Sequence, residues 1–410
     1  MFVPLSMTAQ VDDLFDDDND DETLVTDSVG RDTVSAEQNA MPWPQRIQSR
    51  LDGLIQGNSM LTTSQLGMMV YDLTADSTIY RYNERQMMRP ASTLKAITAI
   101  TAIDRLGGSY QLKTTLYYKG TIENRTLRGD IYCTGGFDPR FNSDDMNAFV
   151  EGIRRMGVDT IRGRIVADKS MKDDDRLGEG WCWDDDNPVL SPLLISRKDR
   201  FVERFVDELR EVGIVVDAEQ TEGHTPQDAF AICTRSHTMD QILMKMMKES
   251  DNLYAEALFY QIAASTGARP AKARNARNIV LTLAAKAGAN TRMCRIADGS
   301  GLSLYNYVSA EFETRMLRYA YNNSNIYLHL YPALPIAGED GTLRKRMKNS
   351  FTAGNVHAKT GTVMGVSSLA GYCTASNGHV LCFSILNQGV LHSSNGRNFQ
   401  DRVCNILCQP

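Results

Sequence analysis

A segment with almost no polar face is the feature that most constrains the fold of this chain. Residues 91–103 read ASTLKAITAITAI, so small or apolar side chains occupy nearly every position around the predicted helix. A helix with so little polar face is expected to be buried. Pro90 and Ser92 suit its start. Lys95 interrupts the apolar run, and a lysine inside a buried helix indicates a specific role.

Length and composition fit a globular protein of two or three domains. The 410 residues are 42 % hydrophobic and 23 % charged, which excludes collagen-like, low-complexity and fully disordered proteins. No run reaches the ~18 consecutive apolar residues that a membrane-spanning helix needs. The net charge of −6 is concentrated in residues 1–40, which hold eleven acids and one base. The remainder is close to neutral, so the charge does not indicate a nucleic-acid partner.

Residues 1–40 are predicted to form an acidic, disordered leader. Residues 12–22 carry eight acids in eleven positions, and such a block repels itself. Residues 1–10, MFVPLSMTAQ, are apolar and end on small residues without a basic start. That pattern fits either the end of a truncated secretory signal or a frayed terminus.

The eight cysteines do not indicate a metal site. No CxxC pair is present and no histidine stands at zinc-ligand spacing, so we predict no bound metal. Asn377-Gly378 has the sequence of a two-residue hairpin turn, and counting outward from it places Cys373 opposite Cys382. The pair predicts either a strained cross-strand disulfide or two packed thiols.

Alternating and helical patterns predict a mixed α/β architecture. The expected elements are hairpins over 66–83 and 113–133, helices over about 199–212, 239–248, 252–265 and 394–408, and three consecutive strands over 354–388. This order predicts an antiparallel sheet whose edge strands come from both ends of the chain, with helices packed on it.

The first of three chemical motifs is Ser92-Thr93-Leu94-Lys95. At a helix start, positions i and i+3 have Cβ atoms about 5–6 Å apart, which brings the Lys95 amine within reach of the Ser92 hydroxyl. A serine becomes an effective nucleophile when a neighbouring base takes its proton. Burial and a second cation both lower the pKa of a lysine, so such an amine can be that base. The alternative is an N-cap serine with a solvated lysine.

The second motif, Ser250-Asp251-Asn252, falls in the predicted break between two helices. Here Ser250 can relay a proton to a leaving group, and the Asn252 amide can hold a substrate carbonyl. An ordinary helix cap explains the same residues.

The third motif, Lys359-Thr360-Gly361, is followed by Thr362 and lies on a predicted strand. Lys359 adds positive potential, Thr360 offers a hydroxyl to an anionic substrate end, and Gly361 lets another backbone approach closely. The alternative is an exposed strand lysine beside a turn. In this order, the three motifs match the set found in serine β-lactamases and penicillin-binding proteins.

The chain resembles the D-alanyl-D-alanine carboxypeptidase/endopeptidase family, the low-molecular-mass class C penicillin-binding proteins, over roughly residues 45–405. Besides the motifs, the resemblance rests on residues 89–92, 127–132, 135–139, 165–168, 183–185, 298–303, 334–338, 340–343 and 369–372. It implies a serine β-lactamase/transpeptidase-like antiparallel sheet flanked by helices, with an inserted second domain. The implied boundaries are 1–40 for the leader, 41–111 and 236–410 for the catalytic domain, and 112–235 for the insert.

The resemblance also implies which residues act. The implied catalytic residues are the nucleophile Ser92, its base Lys95, and the proton-relay and electrostatic partners Ser250 and Lys359. The implied substrate-binding residues are Asn252 for the substrate amide, and Thr360, Gly361 and Thr362 around the terminal carboxylate. The implied oxyanion hole uses the backbone N–H groups of Ser92 and Thr362.

The implied function is that of a serine-type D-Ala-D-Ala carboxypeptidase and/or endopeptidase, which acts on peptidoglycan stem peptides and is acylated by β-lactams on Ser92. The family is periplasmic or exported, which favours a clipped signal at residues 1–10. One alternative is a serine β-lactamase, but no E-x-x-L-N stretch lies between the first two motifs. Another is a non-catalytic cell-wall-binding relic, but all three motifs are intact. No cofactor is implied, and the oligomeric state is left open.

Overall fold

The two predicted hairpins are both present, and they belong to different sheets. The structure, a computed structural model, describes residues 41–183, 185 and 187–409, so the predicted leader over 1–40 lies outside the described residues. The first hairpin consists of β1 (Gln65–Asp72) and β2 (Ser77–Tyr82). The second consists of β3 (Gln111–Glu123) and β4 (Thr126–Thr134).

The first sheet is antiparallel throughout and has the strand order β2-β1-β10-β9-β8. Its carboxy-terminal strands are β8 (His357–Val363), β9 (Val366–Thr374) and β10 (Val380–Gln388). The edge strands β2 and β8 come from opposite ends of the chain because β1 pairs with β10 at the centre. The predicted antiparallel sheet with helices packed on it is therefore confirmed.

The second sheet is mixed and has the order β6-β5-β4-β3-β7. Its remaining strands are β5 (Thr160–Asp168), β6 (Val215–Glu222) and β7 (Phe230–Thr238). Strands β4, β5 and β6 run parallel, while β3 is antiparallel to both of its neighbours. All five strands lie between two motifs in sequence, the S-x-x-K and S-D-N segments.

Helices cover both faces of the first sheet and pack on the second. In the described residues they are α1 (Trp43–Gln56), α2 (Leu94–Leu106), α3 (Ser143–Arg155), α4 (Phe201–Glu211), α5 (Met239–Lys248), α6 (Asn252–Ala264), α7 (Ala273–Lys286), α8 (Ala310–Tyr321), α9 (Ser324–Ala333) and α10 (Ser393–Cys408). No helix within these described residues combines the length and apolar character needed to cross a membrane.

The first sheet separates two hydrophobic cores, one on each of its faces. Alternate side chains of β1 point to opposite faces, so Met69 packs with α2 and α6 while Met68 packs with α1 and α10. Helix α2 lies within the first of these cores, and every residue from 94 to 103 is buried. The prediction of a buried helix is confirmed over residues 94–103.

The predicted pairing of Cys373 with Cys382 is wrong by one residue. In the β9–β10 hairpin, Cys373 lies opposite Leu381, and Cys382 lies opposite Tyr372. The connection is longer than the two residues Asn377-Gly378, and the backbone N–H of Ala375 bonds to the carbonyl of His379. A one-residue change of register sends facing side chains to opposite sides of a sheet. The two thiols accordingly lie in different cores, which excludes a disulfide between them.

Candidate active site

The S-x-x-K motif forms a tight turn that leads directly into the buried helix α2. Residues 91–93 form a single 3₁₀ turn, and Ala91 has a positive φ of 50°. This turn presents the half-buried Ser92 one helical turn from Lys95, whose side chain is fully buried. The Lys95 Nζ atom donates to Ser92 Oγ over 2.7 Å. The structure thus brings together the two residues that the i, i+3 spacing predicted to meet.

Three oxygens surround the Lys95 amine and fix its orientation. Besides Ser92 Oγ, they are the Asn252 side-chain Oδ1 at 2.7 Å and the Ser300 carbonyl oxygen at 2.9 Å. When the amine is neutral, two N–H groups suffice for the latter two oxygens, and the nitrogen lone pair then faces Ser92. The arrangement can therefore support proton transfer from the serine to the lysine.

The S-D-N motif occupies the short break between α5 and α6. Ser250 has a positive φ of 60°, and Asp251 caps α6 by accepting from the Tyr254 N–H over 3.4 Å. Asp251 also forms an ion pair with Arg197, which precedes α4. Asp251 therefore caps the helix. The residues on either side of it bond to lysines, Ser250 to Lys359 and Asn252 to Lys95.

Lys359 lies on the edge strand β8 and reaches the S-D-N motif across the cleft. Its side chain is fully buried, and Nζ donates to Ser250 Oγ over 2.9 Å and to the Thr360 carbonyl over 2.8 Å. The Thr360 hydroxyl donates to Thr342 Oγ1 over 2.8 Å, and Thr362 is exposed at the end of the strand. Two serine–lysine pairs, far apart in sequence, therefore meet in one cleft.

Gly361 allows β8 to lie against the turn that carries Ser92. A Cβ atom at this position would lie 2.7 Å from the Pro90 carbonyl oxygen, 3.0 Å from the Ser92 backbone nitrogen and 2.1 Å from Ser368 Oγ. Gly301 meets the other side of the turn, where a Cβ would lie 1.9 Å from the Ala91 carbonyl oxygen. The predicted reason for a glycine in the third motif, close backbone approach, is the one observed.

Sequence reasoning missed the contact of Lys95 with the loop 298–303, in which the Ser300 carbonyl accepts from the Lys95 amine. Glu256, one turn along α6 from Asn252, is fully buried and accepts from the Gly299 N–H at 3.0 Å and the Ser300 N–H at 2.8 Å. Burial, with a smaller contribution from Asp298, raises the pKa of Glu256 to about 8. Residues 298–303 supported the family resemblance, but nothing in their pattern assigned Ser300 a carbonyl contact with Lys95.

A second missed residue, Thr342, stands at the outer end of the cleft beside Thr360. The loop that carries it is fastened by Lys248, whose Nζ lies 2.7 Å from Asp340 Oδ2 and 2.5 Å from the Leu334 carbonyl oxygen. Lys248, the last residue of α5, thereby ties α5 to this loop, and its positive charge is paired with the Asp340 carboxylate. Among the described residues, no group of three or more His, Cys, Asp or Glu is arranged to hold a metal ion.

The chain is similar to known proteins over most of its described length. The family described as D-Ala-D-Ala carboxypeptidase 3 (S13) matches residues 47–198 and 195–409. The D-alanyl-D-alanine carboxypeptidase DacB of Haemophilus influenzae is 25 % identical over 405 residues, covering 78 % of this chain and 84 % of the relative. A D-alanyl-D-alanine carboxypeptidase of Actinomadura sp. is 26 % identical over 441 residues, covering 84 % and 81 %.

Solved structures show the same fold. The crystal structure of penicillin binding protein 4 from Haemophilus influenzae has a TM-score of 0.81 at 24 % identity, covering 88 % of this chain and 99 % of that one. A predatory endopeptidase of Bdellovibrio bacteriovorus has a TM-score of 0.58 at 17 % identity, covering 84 % and 93 %. Because the family matches nearly all of the described residues, this chain belongs to the D-Ala-D-Ala carboxypeptidase 3 (S13) family of serine peptidases.

Proposed function

We propose that the protein is a serine-type D-Ala-D-Ala carboxypeptidase and/or endopeptidase that acts on peptidoglycan stem peptides through an acyl-enzyme on Ser92. Membership of the S13 family makes it a hydrolase. The observation that carries the proposal is the 2.7 Å contact between Ser92 Oγ and a fully buried Lys95 amine. A second buried lysine, Lys359, lies 2.9 Å from Ser250 Oγ in the same cleft.

Acylation begins when Lys95 takes the proton of Ser92 and Oγ attacks the carbonyl carbon between two D-residues. The developing oxyanion requires donors that are already in place, and the backbone N–H groups of Ser92 and Thr362 supply them in this proposal. The approach of Gly361 to the Ser92 nitrogen supports this role, since it brings β8 alongside the turn. Asn252, whose Oδ1 accepts from Lys95, directs its amide N–H groups to a substrate carbonyl.

Cleavage of the C–N bond needs a proton on the departing amine. Ser250, whose hydroxyl is held by the Lys359 ammonium, is suited to relay it. Its hydroxyl gives its own proton to the departing nitrogen and receives in return the proton that Lys95 took from Ser92. The hydroxyls of Thr360 and Thr362 contact the carboxylate of the terminal D-alanine, and the positive charge of Lys359 favours an anion there. Water then attacks the ester carbonyl while Lys95 accepts its proton. The proton returns to Ser92 Oγ as the ester C–O bond breaks and the shortened peptide leaves.

β-Lactams are proposed to acylate the same serine. Attack of Ser92 on the lactam carbonyl opens the ring, but the departing nitrogen stays tethered to the acyl group, so no small product leaves. One structure of the Haemophilus influenzae protein is described as a complex with a β-lactam. A cell-wall substrate also supports export to the periplasm, where such a substrate is found.

We further propose that residues 112–235 form a domain inserted into a catalytic domain made of 41–111 and 236–410. The second sheet and its own hydrophobic core, which includes α3 and α4, support this division. The insert contacts the S-D-N motif through the Arg197–Asp251 ion pair. It is therefore in a position to influence how a peptide enters the cleft.

Mass spectrometry after treatment with benzylpenicillin tests the function. We expect one penicilloyl adduct on the peptide that contains Ser92, no adduct in Ser92→Ala, and an unchanged adduct in Ser109→Ala, where an exposed serine outside the cleft is lost. A folded wild-type protein without an adduct would favour the non-catalytic alternative. Release of the adduct within milliseconds, instead of minutes to hours, would favour a β-lactamase.

Digestion of purified muropeptides then separates the two peptidase activities. Loss of a terminal D-alanine from monomeric pentapeptides defines a carboxypeptidase, and conversion of cross-linked dimers to monomers defines an endopeptidase. Failure to cleave either substrate, by a protein that binds penicillin, would overturn the proposed peptidase activity.

A further inference from the structure

A buried chain of hydroxyls connects helix α8 to the turn that carries the nucleophile. Glu313 of α8 is 1 % exposed, and its Oε2 lies 2.7 Å from Ser384 Oγ of β10. Its other oxygen, Oε1, lies 2.6 Å from Thr93 Oγ1. Thr93 belongs to the same 3₁₀ turn as the nucleophile Ser92, so an acid in the core is one hydrogen bond from the turn on which the reaction depends.

Counting the available hydrogens identifies the protonation state of this acid. Thr93 Oγ1 lies within hydrogen-bond distance of two oxygens, Glu313 Oε1 at 2.6 Å and the Pro90 carbonyl at 2.7 Å. A hydroxyl has one hydrogen, and neither a carbonyl nor an ionised carboxylate can donate. If Glu313 were ionised, the lone pairs of two oxygens would face each other at one of these contacts. Both Thr93 and Glu313 are buried, so an unpaired contact there is costly.

A protonated Glu313 satisfies every member of the chain. Ser384 then donates to Oε2, the carboxylic acid donates to Thr93 Oγ1, and Thr93 donates to the Pro90 carbonyl. The same carbonyl accepts from Ser368 Oγ at 2.5 Å, so both of its lone pairs are used. A neutral carboxylic acid that serves as a hydrogen-bond donor is a known consequence of an apolar, buried site.

The Pro90 carbonyl lies where the turn most needs support. The next residue, Ala91, has a positive φ of 50°, a strained conformation for a residue with a side chain. The backbone nitrogen of the following residue, Ser92, is one of the two proposed oxyanion donors. Small rotations of the Pro90–Ala91 peptide would move that N–H, and oxyanion stabilisation depends on preformed geometry.

We propose that Glu313 is a positioning residue that stays a neutral carboxylic acid and, by donating to Thr93, holds the Pro90–Ser92 turn in the geometry needed for acylation. This role rests on the proposed function of Ser92 as the acylated nucleophile. Glu313 touches no reacting atom and acts through Thr93 alone.

The environment of Glu313 supports its neutral state. Burial raises the pKa of Glu313 to about 7, and its hydrogen bonds with Thr93 and Ser384 only partly offset that effect. The other groups that surround it on β10 and α2 are mostly apolar members of the larger core. Below neutral pH the carboxyl group therefore retains its proton.

Two matched pairs of variants test the proposal by stopped-flow acylation with a chromogenic cephalosporin below neutral pH. Glu313→Gln keeps a donor and an acceptor, whereas Glu313→Met keeps the shape and removes both. Thr93→Ser keeps the hydroxyl, whereas Thr93→Val removes it. We expect Gln and Ser to acylate within about threefold of wild type, and Met and Val to be slowed about tenfold or more in the acylation step, with β-lactam binding unchanged.

Equal slowing of Glu313→Gln and Glu313→Met would show that an ionised carboxylate is required, and normal acylation by Glu313→Met and Thr93→Val would show that the chain does not position the turn. Either result overturns the proposal. Urea unfolding of each variant shows whether it folds, and if Glu313→Met does not, the Thr93 pair still decides. Infrared difference spectra of wild type against Glu313→Gln report the protonated carboxyl directly, and an ionised-carboxylate band would also overturn the proposal. A wild type that forms no β-lactam adduct would instead reject the proposed function. The two failures can be told apart, because the infrared result does not depend on acylation.

Discussion

The Nζ atom of Lys95 lies 2.7 Å from the Oγ atom of Ser92, although the lysine side chain is fully buried. A buried amine normally carries a large desolvation cost, and this one is met by three oxygens from three separate parts of the chain. The surrounding fold therefore orients the Lys95 amine towards the Ser92 hydroxyl.

Replacement of Lys95 by methionine should remove the base and preserve the packing of α2. We expect the rate of acylation by a fluorescent penicillin to fall about 10²-fold or more, because general-base catalysis typically contributes about 10²–10⁴-fold. The thermal unfolding midpoint should not fall substantially, since methionine has a similar length and fills the same buried space. Acylation within a few fold of wild type would contradict the role of Lys95 as base.

Gly361→Ala should disturb the contact between β8 and the nucleophile turn. The added Cβ would lie 2.7 Å from the Pro90 carbonyl oxygen, and we expect a loss of about 1–3 kcal/mol in the free energy of unfolding together with slower acylation. Gly53→Ala is the matched control, because that helical glycine has no atom within 4 Å of an added Cβ. There we expect a gain of up to about 1 kcal/mol and normal acylation. Equal behaviour of the two variants in urea unfolding would contradict the close approach.

Thr360→Val should weaken recognition of a terminal carboxylate. A hydrogen bond to a charged group contributes about 1.5–3 kcal/mol, so kcat/KM on a D-Ala-D-Ala peptide should fall about tenfold or more. The same peptide with a terminal amide should be a poor substrate of both proteins and should show little difference between them. Thr121→Val, at an exposed threonine of β3, should leave both values unchanged. An equal loss with the amide would assign Thr360 to folding instead of carboxylate binding.

Glu256 should make the stability of the protein fall as pH rises. Its pKa in the folded protein is about 8, raised from 4.5 mainly by burial, so the folded state holds a proton that the unfolded state has released. The free energy of unfolding should therefore decrease between about pH 4.5 and pH 8, by at most about 1.4 kcal/mol per pH unit. Glu256→Gln retains an acceptor oxygen but does not titrate, so its decline over this range should be shallower. Parallel curves from urea unfolding of the two proteins would contradict the assignment.

Local pattern was sufficient to predict the main elements and the contact between Ser92 and Lys95. The apolar run after Pro90 predicted a buried helix, and the i, i+3 spacing of Ser92 and Lys95 predicted their contact, because a helix places such residues on one face whatever surrounds it. The alternation in 66–83 and 113–133 predicted both hairpins for the same local reason. The order of the three motifs indicated the family before any contact between them was known.

Tertiary structure decided the register of the strands and the contacts between segments that are far apart in sequence. The pairing of Cys373 with Leu381 depends on the length of one turn, and the sequence Asn377-Gly378 suggested a shorter one. The carbonyl of Ser300 and the carboxyl group of Glu313 reach the site only because separate loops and helices pack against α2. Side-chain spacing along one helix is a local property of the chain. The contacts of Ser300 and Glu313 arise instead from packing between segments more than two hundred residues apart, and no local pattern encodes that packing.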